Sequence, residues 1–343
     1  MIGRVVVLDE MQGRPAAALI VDGRLEDFAV DPAGDAGLPG AIYRAVADRP
    51  MKGLGGLFVK LPEGSGFLRQ TAGIAPGQRL LVQVTGPAEP GKALPVTTRL
   101  LFKSRHAIVT PGAPGLNISR RIRDEAVRAG LEALAAEGMA GAPEDLGLIL
   151  RSAAAGAEAG EVADDIAAMR DLAQAVLADL DGGPELLVEG AGAQETAWRD
   201  WADPAPDEVV EGGFADLGVP EMIDALLRPR VDLPGGGHML VEPTRALMAV
   251  DVNTGPDTSP ASSLKVNIAA ARELPRQLRL RGLGGQVVID FAPMPKKDRA
   301  ILDQVIRAAF KGEAEGNLAG WTTLGLYELT RKRDRLPLAE VLA

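Results

Sequence analysis

Two short apolar runs that each end in aspartate constrain this chain more than any other feature. They are Leu247-Met-Ala-Val-Asp251 and Val287-Val-Ile-Asp290. Both have the length and composition of buried strands. The segment between them carries a helical pattern from about Ser263 to Leu280, long enough for a crossover. A strand–helix–strand unit of this kind lets two parallel strands lie side by side. Their C-terminal ends, where ligand sites of α/β sheets gather, would then carry both carboxylates at one rim. Carboxylates that close repel each other, and a hard divalent cation relieves the repulsion. The plainer alternative is a pair of strand-end aspartates capping helices or turns, and the pattern alone leaves both open.

Composition removes several competing chemistries. The 343 residues include no cysteine, which excludes disulfides, thiolate zinc sites and cysteine nucleophiles and fits a reducing cytoplasm. The two histidines, His106 and His238, are too few and too far apart in sequence to suggest a histidine triad or a multi-histidine zinc site. Acid–base or metal chemistry therefore rests on the 47 carboxylates. A net charge of −10 argues mildly against a nucleic-acid partner. Local clusters count for more than the sum, and arginine gathers at Ser119–Arg123, Arg276–Arg281 and Arg331–Arg335. No run of ~18 apolar residues suggests a membrane span, and the first residues read as a strand rather than a signal peptide.

Along the chain, Val5–Leu8 and Ala16–Val21 read as strands around a turn, with Asp22-Gly23 as the hairpin signal. Short apolar runs broken by Gly and Pro between Ile42 and Leu101 suggest a small barrel. Strands are expected at His106–Thr110 and Leu146–Leu150, and helices at Asp124–Ala136 and Glu161–Leu180. Gly190–Gly213, rich in Ala, Gly, Pro and acid, reads as a connection. The last third alternates strands at His238–Glu242, Arg245–Asp251, Gln286–Asp290 and Leu324–Leu329 with helices at Ser263–Leu280 and Lys297–Lys311. Pro275 is expected to kink or break the first of these helices. The alternation is an α/β reading.

Three long segments carry a resemblance. Arg228–Gly255, Ala271–Phe291 and Gly325–Arg333 resemble, in order and spacing, the catalytic core of the ribonuclease E/G family. The resemblance implies a composite α/β (α+β) fold. An RNase H-like fold, residues 1–35 and 185–227, would carry an inserted S1 (OB-type) barrel at 36–104 and a 5′-end sensor subdomain at 105–184. A DNase I-like metal-binding α/β subdomain would follow at 228–343. It further implies a cytoplasmic endoribonuclease that cuts single-stranded RNA by magnesium-dependent hydrolysis, in RNA processing or decay. The second reading is an RNA-binding protein of the same fold with weakened catalysis.

Residue by residue, the resemblance assigns magnesium, or manganese in its place, to Asp251 and Asp290, with Asn253 beside them as a third catalytic residue. It assigns base stacking to Phe58 and Phe67, with Lys92, Arg120 and Arg121 on the RNA, the two arginines supporting either its path or the sensor pocket. For Phe58 and Phe67 the plain alternative is barrel core, and for the two arginines a solvated basic patch. Ile108, Arg151 and Ser152 match a pocket for a 5′-monophosphate, in which an arginine fork and a hydroxyl bind the phosphate. There the plain alternative is a surface ion pair of Arg151. The family usually has Thr where Ser152 stands, which keeps the hydroxyl.

The departures from the family pattern concern charge and zinc. The family continues beyond the Thr-Arg-Lys-Arg motif into a Cys-Pro-x-Cys segment through which two subunits share a zinc ion. With no cysteine here, no zinc is expected, and any oligomer would use another surface. After Asp290-Phe291 the usual further acid is replaced by Ala292-Pro-Met294. Asn267-Ile-Ala-Ala-Ala271 lacks the usual glutamate, and a usually basic stretch reads Gly312-Glu-Ala-Glu-Gly316. Weaker RNA binding or an altered substrate range is the expected consequence. Placing lysine at Glu315 should raise affinity for single-stranded RNA and steepen its decline with salt, by about one slope unit for each further phosphate neutralised. A titration series across salt concentrations checks this, and an unchanged slope contradicts it.

Overall fold

The structure, a computed structural model, describes residues 3–34, 37–51, 55–69, 72–89, 91–257, 259–313 and 316–343. Ala314 and Glu315 of the acidic stretch noted above lie outside them. The chain divides into two compact units, Met1–Gly23 with Ala29–Gly212, and Arg24–Phe28 with Gly213–Ala343. Among the described residues, no helix is long and apolar enough to cross a membrane.

The first unit opens with β1 (Arg4–Met11) and β2 (Arg14–Val21), an antiparallel pair. Their turn is Gln12-Gly13, with φ of 54° and 72°, and Asp22-Gly23 repeats that geometry at 50° and 76° ahead of β3 (Arg24–Val30). Positive φ at both central positions marks the hairpin turn whose twist matches its strands. Asp22-Gly23 is thus a turn as expected, but it leads into a third strand that the sequence reading omits. The turn between the two expected strands was hidden because Gln rarely adopts positive φ.

A closed barrel follows. It contains β4 (Ile42–Pro50), β5 (Leu57–Lys60), β6 (Ser65–Leu68), β7 (Arg79–Val84) and β8 (Leu94–Thr97). The order is β4-β5-β6-β8-β7, with β7 pairing back onto β4, so the barrel has no free edge at that seam. Alternate residues such as Leu57, Val59, Leu68, Val82 and Val96 fill its interior.

Next come β9 (Phe102–Lys103), β10 (Ala107–Pro111), β11 (Gly115–Ile118) and β12 (Leu146–Leu150), in sheet order β11-β12-β10-β9. Helices α1 (Glu125–Gly138) and α2 (Ala159–Ala178) pack on this sheet through Leu131, Ala135, Val162 and Ile166. Asp124 caps α1, its carboxylate accepting from the N–H groups of Ala126 and Val127 at 2.9 and 3.0 Å. Gly147 is required in β12, because a Cβ there would lie 1.9 Å from the Ala113 carbonyl oxygen.

β13 (Glu185–Val188) pairs with β4, α3 (Ala193–Asp200) follows, and β14 (Glu208–Glu211) pairs parallel with β1. Gly190–Gly213 is therefore more than a connection. Its helix buries Ala197 and the adjoining Trp201 against Val6, Ala17 and Leu19. Small residues that read as loop composition are here the contact surface of a helix.

The second unit contains α4 (Val219–Leu226), β15 (Arg230–Asp232), β16 (His238–Pro243), β17 (Met248–Asn253), α5 (Pro260–Leu280) and β18 (Gly285–Asp290). It continues through α6 (Arg299–Ala309), β19 (Gly316–Trp321), β20 (Tyr327–Arg331) and α7 (Leu338–Val341). The sheet order is β15-β16-β17-β18-β20-β19, and its one parallel pair is β17–β18. Val250, Val252, Val287 and Ile289 face a core shared with Val266, Leu274 and Leu278 of α5 and Leu302 and Ile306 of α6.

Two expectations are narrowed here. Of the kink or break expected at Pro275, the break is absent: helix α5 runs through it from Pro260 to Leu280. Pro275 is buried beside Leu274 and Leu278, and this packing offsets the lost backbone hydrogen bond. The last strand is Tyr327–Arg331 rather than Leu324–Leu329, with Leu324 exposed in the turn before it. Its partner β19 is the Gly-rich Gly316–Trp321, whose composition concealed it.

Two of the three arginine clusters are built into this unit. Arg276 donates to the Leu25 carbonyl and pairs with Glu273, while Arg279 pairs with Glu26 and Glu313. Arg281 bonds Gln277, and burial pulls its pKa down to about 10 although Glu273 opposes the shift. Buried Arg331 donates to the Leu283 carbonyl at 3.0 Å and to Asp334 at 2.9 Å. Arg335 grips both carboxylate oxygens of buried Asp27 and also donates to the Phe28 carbonyl at 3.0 Å. Burial pushes the Asp27 carboxyl up, but the Arg335 and Arg279 guanidiniums outweigh it and hold the group below its usual range.

A depressed folded pKa means that this pair's stabilisation is present above the unfolded value of about 3.9 and is lost as pH falls through the folded one. Asp27→Asn is expected to lower stability by about 3–5 kcal/mol at pH 7, because it leaves Arg335 buried without its counter-charge. Urea unfolding of both forms from pH 7 down to strongly acid conditions should show the difference shrinking toward the acid end. A difference that is small at neutral pH, or that grows on acidification, contradicts this account.

Candidate functional site

Asp251 and Asp290 are direct register partners across the parallel β17–β18 pair. Adjacent strands lie about 4.8 Å apart, so the two carboxylates rise from neighbouring points of one sheet face. Both are exposed, whereas their neighbours Val250, Val252 and Ile289 point into the core. Asn253 shares the open face by strand alternation, and its amide donates to Asp251 Oδ2 at 2.8 Å. His238 pairs with Asn253 in register and belongs to the same face.

The capping alternative finds no support. Among the described residues neither carboxylate accepts a backbone N–H or meets a cationic side chain, and α5 is capped by Ser259, whose hydroxyl accepts from Ser262 N–H at 3.3 Å. Among the described residues no group of three or more His, Cys, Asp or Glu side chains is arranged to hold a metal ion, so any site here rests on the two carboxylates. Two carboxylates with no cationic partner among the described residues suit magnesium, which takes one or two carboxylates and keeps several waters.

Asn267 is a positioning residue that the sequence reading named without giving it a role. It is fully buried on α5, donates to the Ala292 carbonyl at 2.9 Å and accepts from Ala292 N–H at 3.0 Å. This reciprocal pair fixes the chain two residues beyond Asp290. The available signal was a polar side chain on the apolar stripe that includes Val266 and Ala270.

In the barrel, Phe58 and Phe67 are register partners on β5 and β6. Their rings lie 5.5 Å apart at an interplanar angle of 57°. Both are half-buried and alternate with the core residues Leu57, Val59 and Leu68, so they stand outside the barrel interior. Gly56 leaves room for the Phe67 ring, whose nearest atom would be 2.4 Å from a Cβ there. Arg49 lies over the Phe58 ring at 5.6 Å. Exposed Lys92 donates to Glu89 at 2.8 Å and stands just ahead of β8, where Pro95 pairs with Phe67.

Arg151 extends the β10–β12 ladder, its N–H donating to the His106 carbonyl at 2.8 Å, with Ile108 opposite Ile149 in the same ladder. Its guanidinium is held on three sides. Nη1 donates to the Ser104 and Arg199 carbonyls at 2.8 and 3.1 Å, and Nη2 donates to Asp200 at 2.7 Å. Of five N–H donors, two remain in a fixed plane. Ser152 starts the short 3₁₀ turn Ser152–Gly156, and its hydroxyl has no partner among the described residues. The ion-pair alternative is therefore realised in part, with Asp200 as partner and two donors left over. Burial raises the Asp200 carboxyl, but Arg199 and Arg151 outweigh it and hold the group below its usual range. No sequence signal pointed to Asp200, since it reaches Arg151 from α3, 49 residues away. Arg120 is exposed without a side-chain partner among the described residues, while Arg121 pairs with Asp203 at 2.9 Å.

Comparison with known proteins joins these observations. The model of the ribonuclease E/G family matches residues 102–212 and 209–334. The chain is 30% identical to ribonuclease E of a Nostoc species over 86% of its length and 51% of that protein's. It is 29% identical to ribonuclease E of a Synechocystis species, covering 53% of it, so it spans about half the length of these two relatives. Ribonuclease G of Escherichia coli K12 is 28% identical over 95% of this chain and 79% of the relative. The matched stretches contain β17, β18 and the Arg151 ladder. This chain belongs to the ribonuclease E/G family.

Proposed function

We propose that this chain is a magnesium-dependent endoribonuclease that cuts single-stranded RNA in cytoplasmic RNA processing or decay. The observation that carries the proposal is the in-register pairing of Asp251 and Asp290 on an exposed sheet face, with no cationic side chain paired to either among the described residues. The names of the relatives, ribonuclease E and ribonuclease G, support it. In the same reading residues 1–35 and 185–227 form an RNase H-like part, 36–104 an S1-type barrel, 105–184 a 5′-end sensor, and 228–343 a DNase I-like part.

Asp251 and Asp290 would hold the ion, and Asn253 fixes the rotamer of Asp251 through its amide. Magnesium bound there supplies Lewis-acid chemistry, acidifying water and offsetting charge that develops on a phosphate. Asn267 keeps the backbone after Asp290 in place, so the spacing of the two carboxylates does not drift. Water attacks phosphorus, the bond to the 3′-oxygen breaks, and the products carry a 3′-hydroxyl and a 5′-phosphate. Phe58 and Phe67 stack bases irrespective of sequence, and Lys92, Arg120 and Arg121 contact the backbone. Arg151 offers its two remaining donors, and Ser152 its hydroxyl, to a terminal 5′-monophosphate, with Ile108 lending its backbone.

Cleavage of a short 5′-monophosphorylated RNA should require magnesium. It should fall by at least about 100-fold in Asp251→Asn and Asp290→Asn and by about 10- to 100-fold in Asn253→Ala. Wild-type protein that binds this RNA without cutting it would instead be an RNA-binding member of the family. In metal-free buffer, Phe58→Ala and Phe67→Ala should each weaken binding of single-stranded RNA about tenfold, the scale of one stacked base. Affinity unchanged in both variants removes the barrel from the binding surface.

A further inference from the structure

Trp198 is one of three tryptophans in the chain and is 51% exposed, whereas Trp201, one helical turn on, is 7% exposed. Arg105 lies over its ring with the guanidinium carbon 4.0 Å from the centroid, and Arg105 Nη1 also donates to the Trp198 carbonyl at 3.3 Å. One face of the indole is therefore covered by a cation. The remaining exposure belongs to the rest of a ring whose orientation is fixed on α3. A large flat apolar surface in water, held rigid at this cost in hydration, suits a planar partner.

The position of this stack is specific. Arg151 Nη1 is held by two carbonyls, those of Ser104 and Arg199. Arg105 immediately follows the first of these residues, and Trp198 immediately precedes the second. The two members of the stack are thus chain neighbours of the two residues whose carbonyls hold the Arg151 guanidinium. A mononucleotide unit presents the same combination, a phosphate next to a planar base.

We propose that the Arg105–Trp198 stack is a subsite for a nucleobase, and that it receives the base of the 5′-terminal nucleotide whose phosphate Arg151 and Ser152 bind. The proposal rests on the reading of Arg151 and Ser152 as a 5′-phosphate pocket. The exposed edge and face of Trp198 accept the base by stacking, which tolerates any base, and Arg105 strengthens the stack by polarising the indole from behind. The enzyme then recognises an RNA end by its base as well as its charge.

The test uses the full chain in metal-free buffer and short single-stranded RNAs labelled at the 3′ end. One carries a 5′-monophosphate, one a 5′-hydroxyl, and one a 5′-monophosphate on an abasic first nucleotide. Wild type should bind the intact phosphorylated RNA about tenfold more tightly than the abasic one. Trp198→Ala should bind these two alike while still preferring phosphate to hydroxyl, and Trp198→Phe should recover most of the base preference. Quenching of tryptophan emission by the intact RNA, absent in Trp198→Ala, gives a second readout. A wild type that prefers phosphate but ignores the missing base overturns the subsite and leaves the pocket standing. So does Trp198→Ala that still distinguishes the abasic RNA. A wild type that ignores the phosphate overturns the pocket reading, and with it the terminal placement of the base.

Discussion

The parallel pairing of β17 with β18 is the constraint on which the candidate centre depends. It is the one parallel pair in an otherwise antiparallel sheet, and it exists because α5 returns the chain across the core face between the two strands. Side chains alternate along a strand, so a slip of one residue would drive Asp251 or Asp290 into the core and bring Val250 or Ile289 to the surface. An unpaired carboxylate buried among Val266, Leu274 and Leu278 would cost several kcal/mol, whereas the valines and isoleucine gain by staying there. The register that packs the core is therefore also the register that aligns the acids. Asn267, bonded twice to Ala292, holds the end of β18 to the same helix.

Charge is partitioned within each unit in a way that the net value of −10 conceals. In the second unit the arginines of α5 and of the Arg331–Arg335 segment are largely consumed by Glu26, Asp27, Glu273, Glu313, Asp334 and backbone carbonyls. These cations hold the fold together. Asp251 and Asp290 meet none of them and keep their charge available to an external cation. In the first unit Arg120 is exposed without a side-chain partner among the described residues, and Arg151 keeps two free donors.

The sequence made the apolar strands legible because their patterning is strong. β12 spans Leu146–Leu150 as read, and β5, β6 and β7 lie where the barrel was expected. The pairing of Asp251 with Asp290 followed from a crossover argument that needs only strand, helix and strand. What stayed hidden has physical reasons. Pro275 is tolerated inside α5 because tertiary packing overrides local propensity. β19 lacks β-branched residues and is held by its partner β20. α3 is a short, mostly polar helix that buries only Ala193 and Ala197 and so also reads as loop. Asp200 and the Arg105–Trp198 stack are long-range contacts, which periodicity cannot reveal.

The central claim, that Asp251 and Asp290 form a divalent-cation centre, is tested most directly by manganese binding to the RNA-free protein, followed by electron paramagnetic resonance. The account predicts a bound manganese population in wild type that magnesium displaces, and its loss in Asp251→Asn and in Asp290→Asn while circular dichroism shows both variants folded. Undiminished manganese binding in either folded variant would contradict it.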